Sequence, residues 1–127
     1  MLKPYLFVDQ TDLMGRGVFT RERIPAGTVV EISPVIVMSG EDRLHLDKTL
    51  LHDYIFEWGR NKDKCCMALG LIPIYNHSYS SNCEYFMDYE AEHIMVKTVR
   101  VIVKGEALTI NYNGDWNDEA KLWFDAK

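Results

Sequence analysis

The sequence predicts a mainly β, β-rich α+β fold with little helix. Three observations carry that prediction. Short runs rich in β-branched and aromatic residues recur along the chain, turn-forming residues separate several of them, and few stretches space their apolar residues as a helix does. The chain has 127 residues and is 47% apolar, which fits a single domain over 1–127 with one core.

In chain order, the expected strands are PYLFV, GVFT, GTVVEI, VIVM, IFEW, EYFMDY, HIMVKTV, RVIV and ALTINY. The turns expected between them are PAG at 25–27, EAE at 90–92 and KGE at 104–106. DRLHLDKTLLHDY, residues 42–54, has leucines near helical spacing and is expected to form a short helix. Asn117 is placed to cap a last helix that ends on Trp123 and Phe124. There is no repeat, linker or low-complexity segment.

No apolar run is long enough to span a bilayer, and MLKPYLFVDQ lacks the features of a secretory leader. The expectation is a cytoplasmic protein with no membrane partner, or a nuclear one in a eukaryote. The net charge is −5 and no Lys/Arg cluster occurs, so nucleic acid is not an expected partner. An acidic surface suits a cationic one, such as a lysine-rich peptide. Cys65, Cys66 and Cys83 are odd in number and two are adjacent, which makes a poor disulfide framework. Adjacent cysteines also miss the spacing by which zinc ligands converge. Buried or idle thiols are expected, and no metal.

Four stretches ask for chemistry. In MGRGVF, 14–19, two glycines flank Arg16; glycine admits positive φ or close approach of a ligand, and a plain turn is the simpler reading. DYIFEWG, 53–59, reads most simply as a core strand. IYNHSYSSNCEY, 74–85, sets Asn76, His77, Asn82 and several serines among aromatic rings, as either a surface loop or a pocket for a small polar ligand. KGEALTINYNG, 104–114, is a turn and a strand that ends on Tyr112. Taken singly, His77 reads as a core histidine, Asn76 as a turn residue and Tyr112 as a strand end.

In this order, however, the four stretches resemble the SET domain of protein lysine methyltransferases over nearly the whole chain. GRGVF resembles the GxG motif, NHSYSSN the asparagine-histidine-serine motif with its second asparagine, and GEALTINY the Gly-Glu-x-Leu-Thr motif with its terminal tyrosine. The resemblance implies several small sheets, with the NHS and tyrosine segments threaded as a C-terminal pseudoknot. It implies S-adenosylmethionine as methyl donor and a protein or peptide with an exposed lysine as partner. The cofactor-binding residues it implies are Gly15, Arg16, Gly17, Tyr54, Asn76, His77 and Trp116. Tyr112 is the implied catalytic group, with Tyr85 beside it in the lysine channel. The alternative is a non-catalytic SET-like module that binds a basic peptide or a protein partner.

The reaction implied is in-line methyl transfer to a neutral amine. Neutralising a free lysine of pKa about 10.4 at pH 7 costs roughly 4.6 kcal/mol. Burial in an aromatic channel lowers such a pKa by up to about 3–5 units, so water can take the proton and no metal is needed.

The chain departs from the family pattern in places. No cysteine follows Cys83, so no terminal zinc module is expected, and Trp116, Trp123 and Phe124 are the expected covers of the channel. Ser33 and Pro34 stand near the place of a channel tyrosine, and Ser80–Ser81 replaces the usual proline. Ile110 offers no hydroxyl where some members carry Phe or Tyr, so Tyr85 alone is expected to restrict the product, mainly to monomethyllysine.

Overall fold

A computed structural model of the chain describes residues 1–112. The helix expected after Asn117, and Trp116, Trp123 and Phe124, lie outside the described residues. The strands are β1 (Leu6–Gln10), β2 (Arg16–Thr20), β3 (Val29–Met38), β4 (Phe56–Trp58), β5 (Lys64–Ala68), β6 (Asn76–His77), β7 (Cys83–Asp88), β8 (His93–Thr98) and β9 (Ala107–Ile110). Among the described residues one short α-helix, α1, covers Gly40–Leu46. Two sheets form, in the orders β1-β2-β9-β6 and β4-β5-β3-β8-β7. The β-rich expectation therefore holds.

The two runs GTVVEI and VIVM join into the single strand β3. Its first half pairs with β8 as far as Pro34, and its second half pairs with β5 from Val35 onward. Pro34 sits at the handover, where its missing N–H costs a ladder least. RVIV does not form a strand: only Ile102 pairs, in an isolated bridge to Ile24, while Val101 and Val103 are exposed. The strand β5, KCCMA, was not among the expected runs. It pairs on both sides, and Cys65, Cys66 and Cys83 are all free and buried. Burial pushes the Cys66 and Cys83 thiols up to about 12, so both stay protonated.

The helix expected over 42–54 is broken. Ser39 and Asp42 form a capping box that starts α1. Thr49 then donates its hydroxyl to the Leu46 carbonyl at 2.7 Å and accepts from the Leu51 N–H at 3.2 Å. With Thr49 extended, the chain restarts as a 3-10 turn at Leu50–Asp53. A side chain that competes for backbone groups in this way interrupts a helix despite the leucine spacing.

The core gathers Val18, Ile24, Val30, Tyr75, Ile94, Val96, Ile102, Leu108 and Ile110, all fully buried. Across it, β6 runs parallel to β9, with Asn76 opposite Thr109 and His77 opposite Ile110. A parallel pair needs a long crossover, and here the β7–β8 hairpin supplies it. Asn82 locks the crossing. Its Nδ2 donates to the Ala107 carbonyl at 2.8 Å, its Oδ1 accepts the Thr109 N–H at 2.8 Å, and its own N–H donates to Thr109 Oγ1 at 3.2 Å. The Ser78 N–H adds a bond to the Ile110 carbonyl.

Replacing Asn82 by alanine leaves the Ala107 carbonyl and Thr109 N–H without their partner. Unmade buried hydrogen bonds cost about 1–3 kcal/mol each, so Asn82→Ala should lower the free energy of urea unfolding by at least about 2 kcal/mol. The exposed neighbour Ser80→Ala should stay within about 0.5 kcal/mol of the parent. Equal stability of the two variants would remove Asn82 as the lock.

Candidate functional site

The site is built where the glycine turn before β2 meets β6 and the end of β9. Thr11 shapes that turn: its N–H and hydroxyl both donate to the Gly15 carbonyl, and its Oγ1 accepts the Met14 N–H. Gly15 has φ +71°, which suits glycine. Gly17 is buried, and a Cβ there would lie 2.9 Å from Asn76 Nδ2. Asn76 Nδ2 donates to the Arg16 carbonyl at 3.1 Å. The backbone of Arg16 and Gly17 thus lies against Asn76, and Gly15 stands on the turn that leads into it. Only Arg16's carbonyl takes part, and its side chain stands exposed.

His77 is buried on the next position. Its Nδ1 accepts the Tyr112 N–H at 3.1 Å, which assigns the proton to Nε2. That Nε2 is buried and has no partner among the described residues. Its ring meets Tyr79 edge-on at 4.4 Å and Tyr112 at 5.1 Å. Burial lowers the imidazole pKa, so His77 is held neutral.

Tyr112 follows β9 and is bent back into the molecule. Its hydroxyl donates to the Tyr75 carbonyl at 2.6 Å. Burial first, and then the nearby Tyr54 and Asp53, push the phenol up to about 12. It therefore stays protonated throughout the neutral range. Tyr54 caps the 3-10 turn and stands half-buried near Tyr112. Tyr85, on β7, lies on the other side, with its hydroxyl 3.4 Å from the Tyr112 carbonyl and its pKa raised by burial. Phe56 on β4 sits between the two phenols, edge-on to Tyr85 at 5.7 Å and to Tyr112 at 6.2 Å.

Of the residues picked out from the sequence, Arg16, Gly17 and Asn76 meet in one group, with Gly15 on the turn before them. His77, Tyr54, Tyr85 and Tyr112 meet in the adjoining one. Trp116 lies outside the described residues. Phe56 and Tyr79 were missed as site residues. Phe56 lies two positions from Tyr54, inside a stretch that reads as plain core, and Tyr79 sits within NHSYSSN itself. Ser33, expected to alter a channel wall, is buried, and its hydroxyl donates to Glu31 at 2.6 Å.

Two features fit a small polar ligand at this place: the close approach that only a glycine at 17 permits beside Asn76, and the buried His77 Nε2–H, which has no partner among the described residues. The chain is similar to known proteins. The family model of the SET domain matches residues 15–113. A Schizosaccharomyces pombe (strain 972 / ATCC 24843) protein named "Histone-lysine N-methyltransferase, H3 lysine-37 specific" is 36% identical over 126 residues, which is 98% of this chain and 80% of that protein. A crystal structure of a Plasmodium falciparum candidate histone methyltransferase superposes with a TM-score of 0.65 at 25% identity, covering 91% of this chain and 98% of that one. The apo ctPRC2 complex with a doubly substituted Ezh2 gives a TM-score of 0.74 at 20% identity, over 88% of this chain and only 15% of the other; this last likeness speaks for the fold alone.

The His77 assignment has a direct test. By NMR, its imidazole should titrate with a midpoint below the ordinary 6.5, because burial disfavours the charged form. The sign for stability follows. Below 6.5 the unfolded chain takes up the proton first, so this contribution to stability is full above 6.5 and is lost as pH falls towards the folded-state midpoint. A midpoint at or above 6.5 would show that the ring is not held neutral by the fold.

Proposed function

The chain belongs to the SET-domain family and is a protein-lysine methyltransferase, and we propose that it uses S-adenosylmethionine to methylate a lysine in a basic segment of its protein substrate. The S. pombe relative's name makes a histone H3 tail the first substrate to try. The observation that carries the reading is the seating of Tyr112: one crossing of two distant segments brings its hydroxyl onto the carbonyl of Tyr75, the residue before Asn76, whose amide meets the Arg16 carbonyl.

When bound, S-adenosylmethionine supplies an electrophilic methyl group. In this proposal Asn76, the backbone of Gly15, Arg16 and Gly17, His77 and Tyr54 hold it, with Trp116 as a further contact. The exposed Arg16 side chain leaves the backbone as the binding element there. The rings of Phe56, Tyr85 and Tyr112 form the walls that strip water from the incoming lysine, which lowers the ammonium pKa. Tyr112 is not the base, since its phenol is pushed up to about 12 and keeps its proton. The proton goes to water. The hydroxyl oxygen of Tyr112 instead accepts from the amine and orients it, a preorganised dipole of the kind that contributes most to such sites. Tyr85, with its hydroxyl close to the Tyr112 backbone, limits the space around the amine and favours monomethylation.

Two substitutions separate binding from chemistry on a histone H3 peptide, read by mass spectrometry. Tyr112→Phe should fold and bind S-adenosylmethionine as the parent does, while methyl transfer falls by on the order of a hundredfold or more. Asn76→Ala should weaken cofactor binding by roughly tenfold or more in calorimetry, from the loss of one buried polar partner. A parent protein that binds the cofactor yet methylates no lysine peptide would favour a non-catalytic binding module. A Tyr112→Phe variant at the parent rate would remove the hydroxyl from the mechanism.

A further inference from the structure

Beneath the site lies a carboxylate that the reaction as described does not use. Glu31, on β3, is fully buried. Among the described residues it has no cationic partner. Three donors hold it instead. The Tyr75 hydroxyl donates to Oε1 at 2.9 Å, while the Ser33 hydroxyl and the Leu71 N–H donate to Oε2 at 2.6 and 2.8 Å. The backbone makes room for it: Gly70 has φ +66°, and a Cβ there would collide with the Glu31 carboxylate and the Ser33 hydroxyl. A buried charge without a cation is costly unless its hydrogen bonds are complete. Such a group is a rigid anchor, because every movement of a donor breaks a charge-assisted bond.

The donor that matters is Tyr75. It is fully buried, and it directly precedes Asn76 and His77. Its ring ends on Glu31, and its backbone carbonyl accepts the Tyr112 hydroxyl at 2.6 Å. One residue thus links the anchored carboxylate to the phenol at the site. We infer that Glu31 is a positioning residue for methyl transfer: by seating the Tyr75 ring, it fixes the carbonyl that accepts the hydrogen bond of the Tyr112 hydroxyl. This inference rests on the reading of Tyr112 as the hydroxyl that meets the amine.

The consequence is a matter of proton direction. A phenol has one proton to donate and lone pairs to accept with. With its proton held by the Tyr75 carbonyl, Tyr112 presents only lone pairs to the amine, and accepts an amine N–H. The amine's own lone pair is then left open to take the methyl. Once the carbonyl loses its seat, the phenol can turn its proton toward the amine and cap that lone pair. Methyl transfer slows although both ligands still bind.

The test uses Tyr75→Phe, which removes one hydroxyl from a buried ring, and Glu31→Gln, which keeps the shape without the charge. Each should lower kcat roughly tenfold, a size in keeping with small losses of alignment, while KM for peptide and cofactor stays within about twofold. Combined with Tyr112→Phe, Tyr75→Phe should cost no further activity, since its effect passes through the missing hydroxyl. A loss of the same size in both backgrounds would mean a general structural role and overturn the inference, as would a parent-like kcat in Tyr75→Phe. Should Glu31→Gln fail to fold, Tyr75→Phe decides. Should the parent methylate nothing, the proposed activity fails by itself. The inference is then read from the Cζ carbon-13 resonance of Tyr112. A shift in Tyr75→Phe supports it, and an unmoved resonance overturns it.

Discussion

The parallel pairing of Asn76–His77 with Thr109–Ile110, locked by Asn82, is the contact on which the other features of the site depend. Asn82 and Thr109 lie 27 residues apart in the chain. Closing a loop of that length costs roughly 3 kcal/mol of chain entropy. The bonds of Asn82, Ser78 and His77 to the second segment, at about 1 kcal/mol each net, are of the size needed to offset it. Burial of Ile110 and Leu108 adds an apolar gain on the same strand. The crossing fixes three things at once. It places Asn76 against the glycine turn, it turns His77 so that Nδ1 accepts the Tyr112 N–H, and it brings the Tyr112 hydroxyl onto the Tyr75 carbonyl.

Polar groups are unusually dense around this crossing, and they are paired. Glu31, Thr98, Asn82 and Asn111 are buried with at most a per cent or two of exposure. Glu106 shows the balance of forces. Burial alone would raise its carboxyl, but hydrogen bonds from Arg100, the Val103 N–H and Asn82 outweigh that and hold it low. The one exception among the described residues is the His77 Nε2–H, at the place where a ligand is proposed. Paired polar groups around this donor hold His77 in one orientation.

Much of the frame was legible in the sequence because its signals are local. Alternation gave β8, with Ile94, Val96 and Thr98 inward and fully or nearly fully buried. The motif residues Asn76, His77 and Tyr112 were found through the resemblance of NHSYSSN and GEALTINY to the SET motifs. What escaped depends on distant partners. Asn82 reads as a loop residue until Thr109 and Ala107 are beside it. Glu31 was not singled out within the run GTVVEI, and only the three-dimensional meeting with Tyr75, Ser33 and Leu71 explains its burial. The leucines of 42–54 gave the right period for a helix, yet Thr49 carried the stronger instruction through its hydroxyl. KCCMA lacks the alternation of a half-buried strand because Cys65 and Cys66 are both buried between β3 and β4.

If the crossing holds the site together, its two segments should open only when the whole domain opens. Native-state amide exchange measures this directly. The N–H groups of Ser78, Asn82, Thr109 and Tyr112 should exchange with the same free energy as those of Ile94 and Val96 in β8, and that free energy should equal the global unfolding value. Fast exchange confined to Thr109 and Tyr112, with β8 still protected, would contradict the crossing as the constraint that builds the site.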